Sequence, residues 1–224
     1  MRRSVAFLAG LALLGAPAFA NLLINPGVDD PPDHETDIAT GWTLEEPSLD
    51  GDGNPVNSAT FASFANHTPG GARGLWYRSF EGGLGGDEPF EVDAHLYQDV
   101  SGTAGSAYTL SAWYRYETFY SGTDPFVNTQ TILAIDFLDG GGGVISSAEL
   151  DIDSVQTPDG EWREFSVNGV APAGTTTVRA RSSMLGGVLE PQNPQSAFVD
   201  DFNLVPEPTS ALLLVAGGLA LRRR

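Results

Sequence analysis

The chain has no cysteine and no lysine among its 224 residues. Without cysteine there are no disulfides, no thiolate metal sites and no thiol nucleophile, so stability outside the cell has to come from core packing and any bound metal. Without lysine every basic residue is an arginine, eleven in all against twenty-nine acids. Familiar catalytic spacings are missing too. His34, His67 and His95 lie far apart, with no His-x-His or His-Glu-x-x-His, and no Gly-x-Ser-x-Gly occurs. The body of the chain shows no apolar stripe at a helical period.

Long apolar runs are confined to the two ends. The first, "MRRSVAFLAGLALLGAPAFA", has a basic start, an apolar middle and a small-x-small close at Ala18-Phe19-Ala20. It reads as a secretory signal peptide over residues 1–20, cleaved before Asn21. The second, "VPEPTSALLLVAGGLALRRR", is shorter. Its stretch from Ser210 to Leu221 would reach roughly 18 Å as a helix, at about 1.5 Å per residue. A bilayer core of about 30 Å normally takes about 20 residues. Pro206 and Pro208 stop the segment growing backwards, and Arg222, Arg223 and Arg224 suit an interface, which gives a weak, transient inner-membrane anchor. Arginines flank each run on its terminal side, so both ends stay cytoplasmic and everything between is exported.

Setting aside residues 1–20 and 205–224 leaves residues 21–204, enough for one well-buried domain. Six arginines and twenty-eight acids remain there, a net charge of −22. Such a surface repels nucleic acid and anionic lipid, which excludes nucleic acid as a partner, and it attracts divalent cations.

Glycine and proline punctuate this body into short segments rich in Thr, Val, Ile, Tyr and Phe, the pattern of an all-β protein. In "AYTLSAWYRYE", Tyr108, Leu110, Ala112, Tyr114 and Tyr116 alternate with Thr109, Ser111, Trp113, Arg115 and Glu117, so the two sets face opposite ways. Further strands are expected at residues 22–25, 59–64, 72–78, 94–100, 131–138, 144–150, 162–167, 176–182 and 197–204, with "LDGGGGVI" as a hairpin turn. That count suits an antiparallel two-sheet jelly-roll β-sandwich. Residues 29–57 and 79–93 read as loops.

Two acidic stretches were weighed for chemistry. "DGDGNP", Asp50 to Pro55, starts like a calcium loop, but Pro55 stands where a glycine is needed and Phe61 where a closing glutamate belongs, so a solvated Asx turn is expected. "EVDAHL" offers Glu91 and Asp93, but His95 and Leu96 occupy the position of the third carboxylate that a sandwich hydrolase of this pattern carries. Glycoside hydrolysis needs a placed carboxylate pair, and no catalytic residue is assigned. For binding, saccharide rings need an aromatic platform beside polar groups that take the hydroxyls. Two clusters offer this, Trp76-Tyr77-Arg78 and the strand face of Trp113, Arg115 and Glu117. Arg179 and Arg181 share the face opposite Val178 and Ala180, where an acidic saccharide could meet them, and pairing with local carboxylates is their expected state.

The tail, with Pro206-Glu207-Pro208, a short apolar helix and Arg222 to Arg224, resembles the PEP-CTERM sorting signal of exported proteins in Gram-negative bacteria that make exopolysaccharide. That resemblance implies recognition by an exosortase, a membrane protease, and delivery to the cell surface or extracellular matrix. The body resembles the galactose-binding-like jelly roll shared by carbohydrate-binding modules, through "NLLINPGVDD", Gly41-Trp42, "LYQDV", "YTLSAWYR", "FLDGGGGVI", "EWREFSV", "APAGTTTVRA" and "AFVDDFNLV". It implies adjacent first and last strands, with a structural calcium between them held by Asp29 and Asp200, Asp30 being an alternative ligand, and it places Trp42 and Trp162 in the core. The resulting expectation is a non-catalytic exported domain that associates with exopolysaccharide. A purely structural acidic matrix protein and a polysaccharide hydrolase or lyase are the alternatives.

Overall fold

The computed structural model describes residues 20–32, 38–83 and 90–207. The signal peptide, His34, Pro208 and Arg222 to Arg224 therefore lie outside the described residues. Ten strands occur in chain order: β1 (Thr43–Glu45), β2 (Ala59–Ala62), β3 (Gly74–Tyr77), β4 (Val92–Ser101), β5 (Ala107–Tyr116), β6 (Gln130–Leu138), β7 (Val144–Asp151), β8 (Arg163–Val170), β9 (Thr177–Gly187) and β10 (Ala197–Pro206). They form two five-stranded sheets, a first in the order β1-β4-β9-β6-β7 and a second in the order β2-β3-β10-β5-β8. Every pairing is antiparallel. The all-β jelly-roll sandwich expected from the sequence is the fold.

Period-two alternation explains which side chains fill the space between the sheets. Along β5, Tyr108, Leu110, Ala112, Tyr114 and Tyr116 are all buried, as their alternation predicts. Along β4 the buried set is Val92, Ala94, Leu96 and Gln98, leaving Asp93, His95, Tyr97 and Asp99 on the outward side. The β6–β7 hairpin closes over four glycines. Gly142 takes φ +83°, and Asp139 Oδ1 accepts the N–H groups of Gly141 (2.8 Å) and Gly143 (2.9 Å).

Three expectations change at this level. Residues 22–25 form no regular strand. Leu22 N donates to Leu204 O and Phe202 N donates to Pro26 O, both at 2.9 Å, so the start of the domain still lies beside β10. The stretch 29–57, expected as loop, contains β1, which pairs with β4. Lastly, β10 runs through Pro206, and Glu207 N donates to Ala107 O at 2.8 Å, so the first part of the proline-glutamate motif belongs to the sandwich edge.

Candidate functional site

The two sheets present outward faces of different chemistry, and the strand register builds both. On the second sheet, Thr60, Trp76, Phe198 and Arg115 stand in one row across β2, β3, β10 and β5. The clusters around Trp76 and Trp113, distant in sequence, therefore meet with Phe198 between them. Asp200 pairs with Trp113 and Trp113 with Glu164 in the next row of the outward face. Residues 63–68 lie over this face. Phe64 packs edge-on against Trp76 (4.9 Å between centroids) and Phe198 (6.0 Å), and His67 stacks on Trp113 (4.1 Å) with its edge to Trp162 (5.2 Å). Gly74 permits this approach, because a Cβ there would strike the carbonyl of Ala65.

Arginines thread between the rings. Arg78 lies over Trp76 (5.2 Å) and Phe80 (5.4 Å), while Arg115 lies over Phe198 (4.2 Å) and Trp162 (5.1 Å). The outcome is a small second hydrophobic cluster of Ala62, Ala65, Phe198, Trp76 and Trp162 outside the main core. Trp162 thus leaves the core position expected for it, whereas Trp42 keeps its own, 5% exposed and packed on Phe202. Tyr77 does not belong to this surface. It points between the sheets, 0% exposed, where its hydroxyl donates to Ser182 Oγ at 2.8 Å. Tyr114 Oη meets the same Ser182 Oγ at 2.8 Å, so this pair ties the second sheet to β9 of the first. Burial pushes both phenol pKa values up.

At one end of this face the acids expected for calcium come together. Asp200 is fully buried, its Oδ2 accepting His67 N (2.7 Å) and its Oδ1 accepting Asp201 N (2.7 Å). Burial, with Asp201 and Asp29 nearby, pushes its pKa up to about 8. Asp29 Oδ1 accepts the N–H groups of Ala72 and Arg73, and Asp201 Oδ2 is shared by His67 Nδ1 (2.7 Å) and the Thr68 hydroxyl. Asp29 and Asp201 flank Gly27, Asp29 and Asn66 flank Gly71, and Asn66 Oδ1 is a buried oxygen with no hydrogen-bond partner. Among the described residues no three acidic or imidazole side chains form a ready metal cluster. A hard cation here would draw on the Asn66 amide and backbone oxygens besides Asp29 and Asp200, and the all-oxygen character suits calcium. Asp30, the alternative ligand, follows directly on Asp29, and its backbone N–H and carbonyl bond the side chain of Asn25. The Asp50 loop is the expected Asx turn, with Asp50 Oδ1 accepting Asp52 N (2.9 Å) and Asn54 N (2.8 Å).

The outward face of the first sheet is mostly polar, with Ala134 and Val144 among its apolar members. Thr43, Tyr97, Arg181, Ala134 and Glu149 form one row across all five strands, and Asp99, Arg179, Asp136 and Ser147 form the next. Arg179 Nε donates to Asp99 Oδ1 (2.7 Å), and its guanidinium lies 3.9 Å from the centroid of the Tyr97 ring. Arg181 reaches across the small Ala134 side chain to Glu149 Oε1 (2.9 Å) while also donating to both oxygens of Asp136 (2.7 and 3.1 Å). Ser147 Oγ donates to Asp136 as well, and Tyr97 Oη donates to Glu45 Oε1, each at 2.7 Å. His95 Nδ1 sits 2.9 Å from Ser183 Oγ. Burial, followed by the charge of Arg181, pushes the His95 pKa down, so the ring is neutral at pH 7 and carries one donor and one acceptor. Glu45, His95, Tyr97, Asp136, Val144, Ser147, Arg179 and Arg181 line an open depression of about 290 Å³.

The sequence had pointed to Arg179 and Arg181 here and to their pairing with carboxylates, which the structure contains. It did not point to Tyr97, His95, Glu45 or Asp136. The available signal was the alternation in "DAHLYQD", where every outward residue of β4 is polar or aromatic. Asp93 and Glu91, weighed earlier as a carboxylate pair, are not directed at this depression as a pair, and Asp93 Oδ1 accepts Gly186 N at 2.8 Å.

No family model and no curated protein matches the chain. Solved structures do. A Stig cyclase, Fisc from Fischerella sp. TAU, superposes with a TM-score of 0.55 at 16% identity over 85% of this chain and 99% of its own. The enzymatically active domain of tailspike protein 4 from bacteriophage CBA120 gives 0.55 at 12% identity over 84% of this chain, which spans only 21% of that one. The galactotriose-bound module TmCBM61 gives 0.46 at 16% identity, over 84% and 99% of the two chains. The two superpositions at a TM-score of 0.55 establish a shared sandwich fold, and identities this low establish nothing about the ligand.

Proposed function

We propose that the chain is a non-catalytic polysaccharide-binding module, exported, handled by an exosortase through its C-terminal signal, and placed at the cell surface or in the extracellular matrix, where it associates with exopolysaccharide. The observation that carries the binding clause is the five-strand polar face around the 290 Å³ depression. Saccharide hydroxyls pair with planar Arg, Asp, Glu and neutral His groups, and C–H faces pack on an aromatic ring. Tyr97, His95, Arg179, Arg181, Asp136 and Glu45 supply that set on rigid strands, held in place by their mutual hydrogen bonds before any ligand arrives.

The non-catalytic clause is supported by the same hydrogen bonds. Glu45, Asp99, Asp136 and Glu149 each already accept from an arginine or a hydroxyl, which commits their oxygens to the network and not to a pair placed across a scissile bond. The sorting clause rests on the termini described from the sequence. A structural calcium held by Asp29 and Asp200, with Asn66 and backbone oxygens completing the shell, belongs to the reading. It would neutralise the carboxylates that crowd Asp200 and fix the domain's first segment to β10. The net charge of −22 favours a second reading, a purely structural acidic matrix protein. A polysaccharide array probed with the purified chain in calcium separates the two, since retention on at least one polymer is expected and binding to none would leave the structural reading.

A further inference from the structure

The second sheet holds a cation that the rest of the molecule does not explain. Of the described arginines, Arg78, Arg163, Arg179 and Arg181 each form an ion pair, with Glu81, Asp159, Asp99, and Asp136 plus Glu149 respectively. Arg73 is buried and donates to Val28 O. Among the described residues no carboxylate comes within ion-pairing distance of Arg115. Its one hydrogen bond among the described residues runs from Nη2 to the carbonyl of Phe64 at 2.8 Å, and none of them accepts from its other N–H groups. Glu117, two residues along the strand, acts on it through its charge but forms no ion pair with it, and its Oε2 accepts Ser196 N at 2.8 Å. In a body of net charge −22, an arginine lacking a carboxylate partner while acids abound is a position where a carboxylate from outside fits.

The mounting of this guanidinium is rigid. Its Cζ lies 4.2 Å from the Phe198 ring centroid and 5.1 Å from that of Trp162, and the Phe64 carbonyl holds one corner. A guanidinium fixed in this way offers parallel N–H donors to a carboxylate, a geometry an ammonium lacks. Apolar ring surface lies next to it, with Phe64 52% exposed and Trp113 and Trp162 partly so. A sugar ring bearing a carboxylate presents both complements at once, an apolar C–H face for the rings and an anion for the guanidinium. The net charge of −22 and the nearby Glu117 oppose a polyanion, and screening of exposed charges beyond about 8 Å at physiological salt confines the favourable contact to the guanidinium itself.

We infer that the Arg115–Trp162–Phe64 patch is a second saccharide site, selective for carboxylated sugars, on the opposite side of the sandwich from the Tyr97 face. It extends the polysaccharide reading, since two sites facing opposite ways allow one molecule to bridge two polymer strands. The probe is polygalacturonate, with dextran as the neutral control, titrated into the full chain and followed by calorimetry and tryptophan fluorescence. The expected result is polygalacturonate binding accompanied by a change in tryptophan emission, no such change with dextran, at least a tenfold loss in Arg115→Gln, and a smaller loss in Arg115→Lys, which keeps the charge and loses the fork. Phe126→Ser, in an exposed loop outside both sheet faces, should leave polygalacturonate affinity within twofold. Absence of polygalacturonate binding, or equal binding by the parent and both Arg115 variants, overturns the inference. If Arg115→Gln does not fold, Arg115→Lys and the parent's emission change decide it. Loss of polygalacturonate binding alone, with binding to another polymer kept, removes this site and leaves the Tyr97 reading intact; the reverse outcome removes only the latter.

Discussion

The two outward faces of the sandwich use arginine in opposite ways. On the first sheet Arg179 and Arg181 are clasped by Asp99, Asp136 and Glu149, so the face is a closed ionic network with polar groups held at fixed positions. On the second sheet Arg78 and Arg115 lie over aromatic rings, and their neighbours form a small apolar cluster roofed by residues 63–68. The difference teaches that a charged strand face can be organised by counter-ions or by ring faces. Arg78 also pairs with Glu81 and Arg179 also lies over the Tyr97 ring, so the contrast is sharpest between Arg181 and Arg115.

The same substitution should therefore have unequal effects on the two sides. Arg181→Ala leaves Asp136, 3% exposed, without its cation. Breaking a buried pair from one side costs about 3 kcal/mol or more. Arg115→Ala removes a ring contact worth about 1 kcal/mol. Urea denaturation of the two variants measures both, and equal losses would mean that the faces are not organised differently.

Calcium sharpens the contrast from the second sheet's end. At a concentration a hundredfold above its Kd, a ligand specific to the folded state stabilises by about 2.7 kcal/mol, which for a domain of this size raises Tm by about 2 to 4 °C per kcal/mol. The rise should vanish in Asp200→Ala and leave the Tyr97 face unaffected. A melting curve unchanged between calcium and EDTA would remove the metal.

The smallest effect belongs to His95. Its folded pKa lies below the ordinary value of 6.5, so beneath that pH the unfolded chain binds more protons than the native one. Stability is then lost as pH falls below about 6.5, and it is kept above. His95→Gln should flatten that slope in thermal melts between pH 5 and 7, and an unchanged slope would mean that other groups set it.

The sequence made most of the strands legible because alternation and glycine turns are local signals. Tyr108 to Tyr116 face as their spacing says, and the LDGGGGVI turn closes β6 onto β7. What it hid was set by pairing over long distances. Trp76 and Arg115 share a row only because β10 inserts Phe198 between them, and Asp136 meets Arg181 through the β6–β9 register. Tyr77 read as surface because Trp-Tyr-Arg offers no clue to which of two adjacent aromatics turns inward, and Ser182, its partner, lies 105 residues away. β1 escaped notice because three residues within an acidic, proline-containing stretch carry no periodicity to detect.

The central claim is that the Tyr97 face holds the polysaccharide. Taking the neutral polymer best retained on the array, affinity gel electrophoresis of the parent, Tyr97→Ala and Trp76→Ala tests it most directly. Loss of a stacked ring and its oriented arginine corresponds to about tenfold or more in affinity, at 1.4 kcal/mol per decade. The account predicts that loss for Tyr97→Ala and migration within twofold of the parent for Trp76→Ala. Retention of Tyr97→Ala at parental affinity, with Trp76→Ala running free, would contradict it.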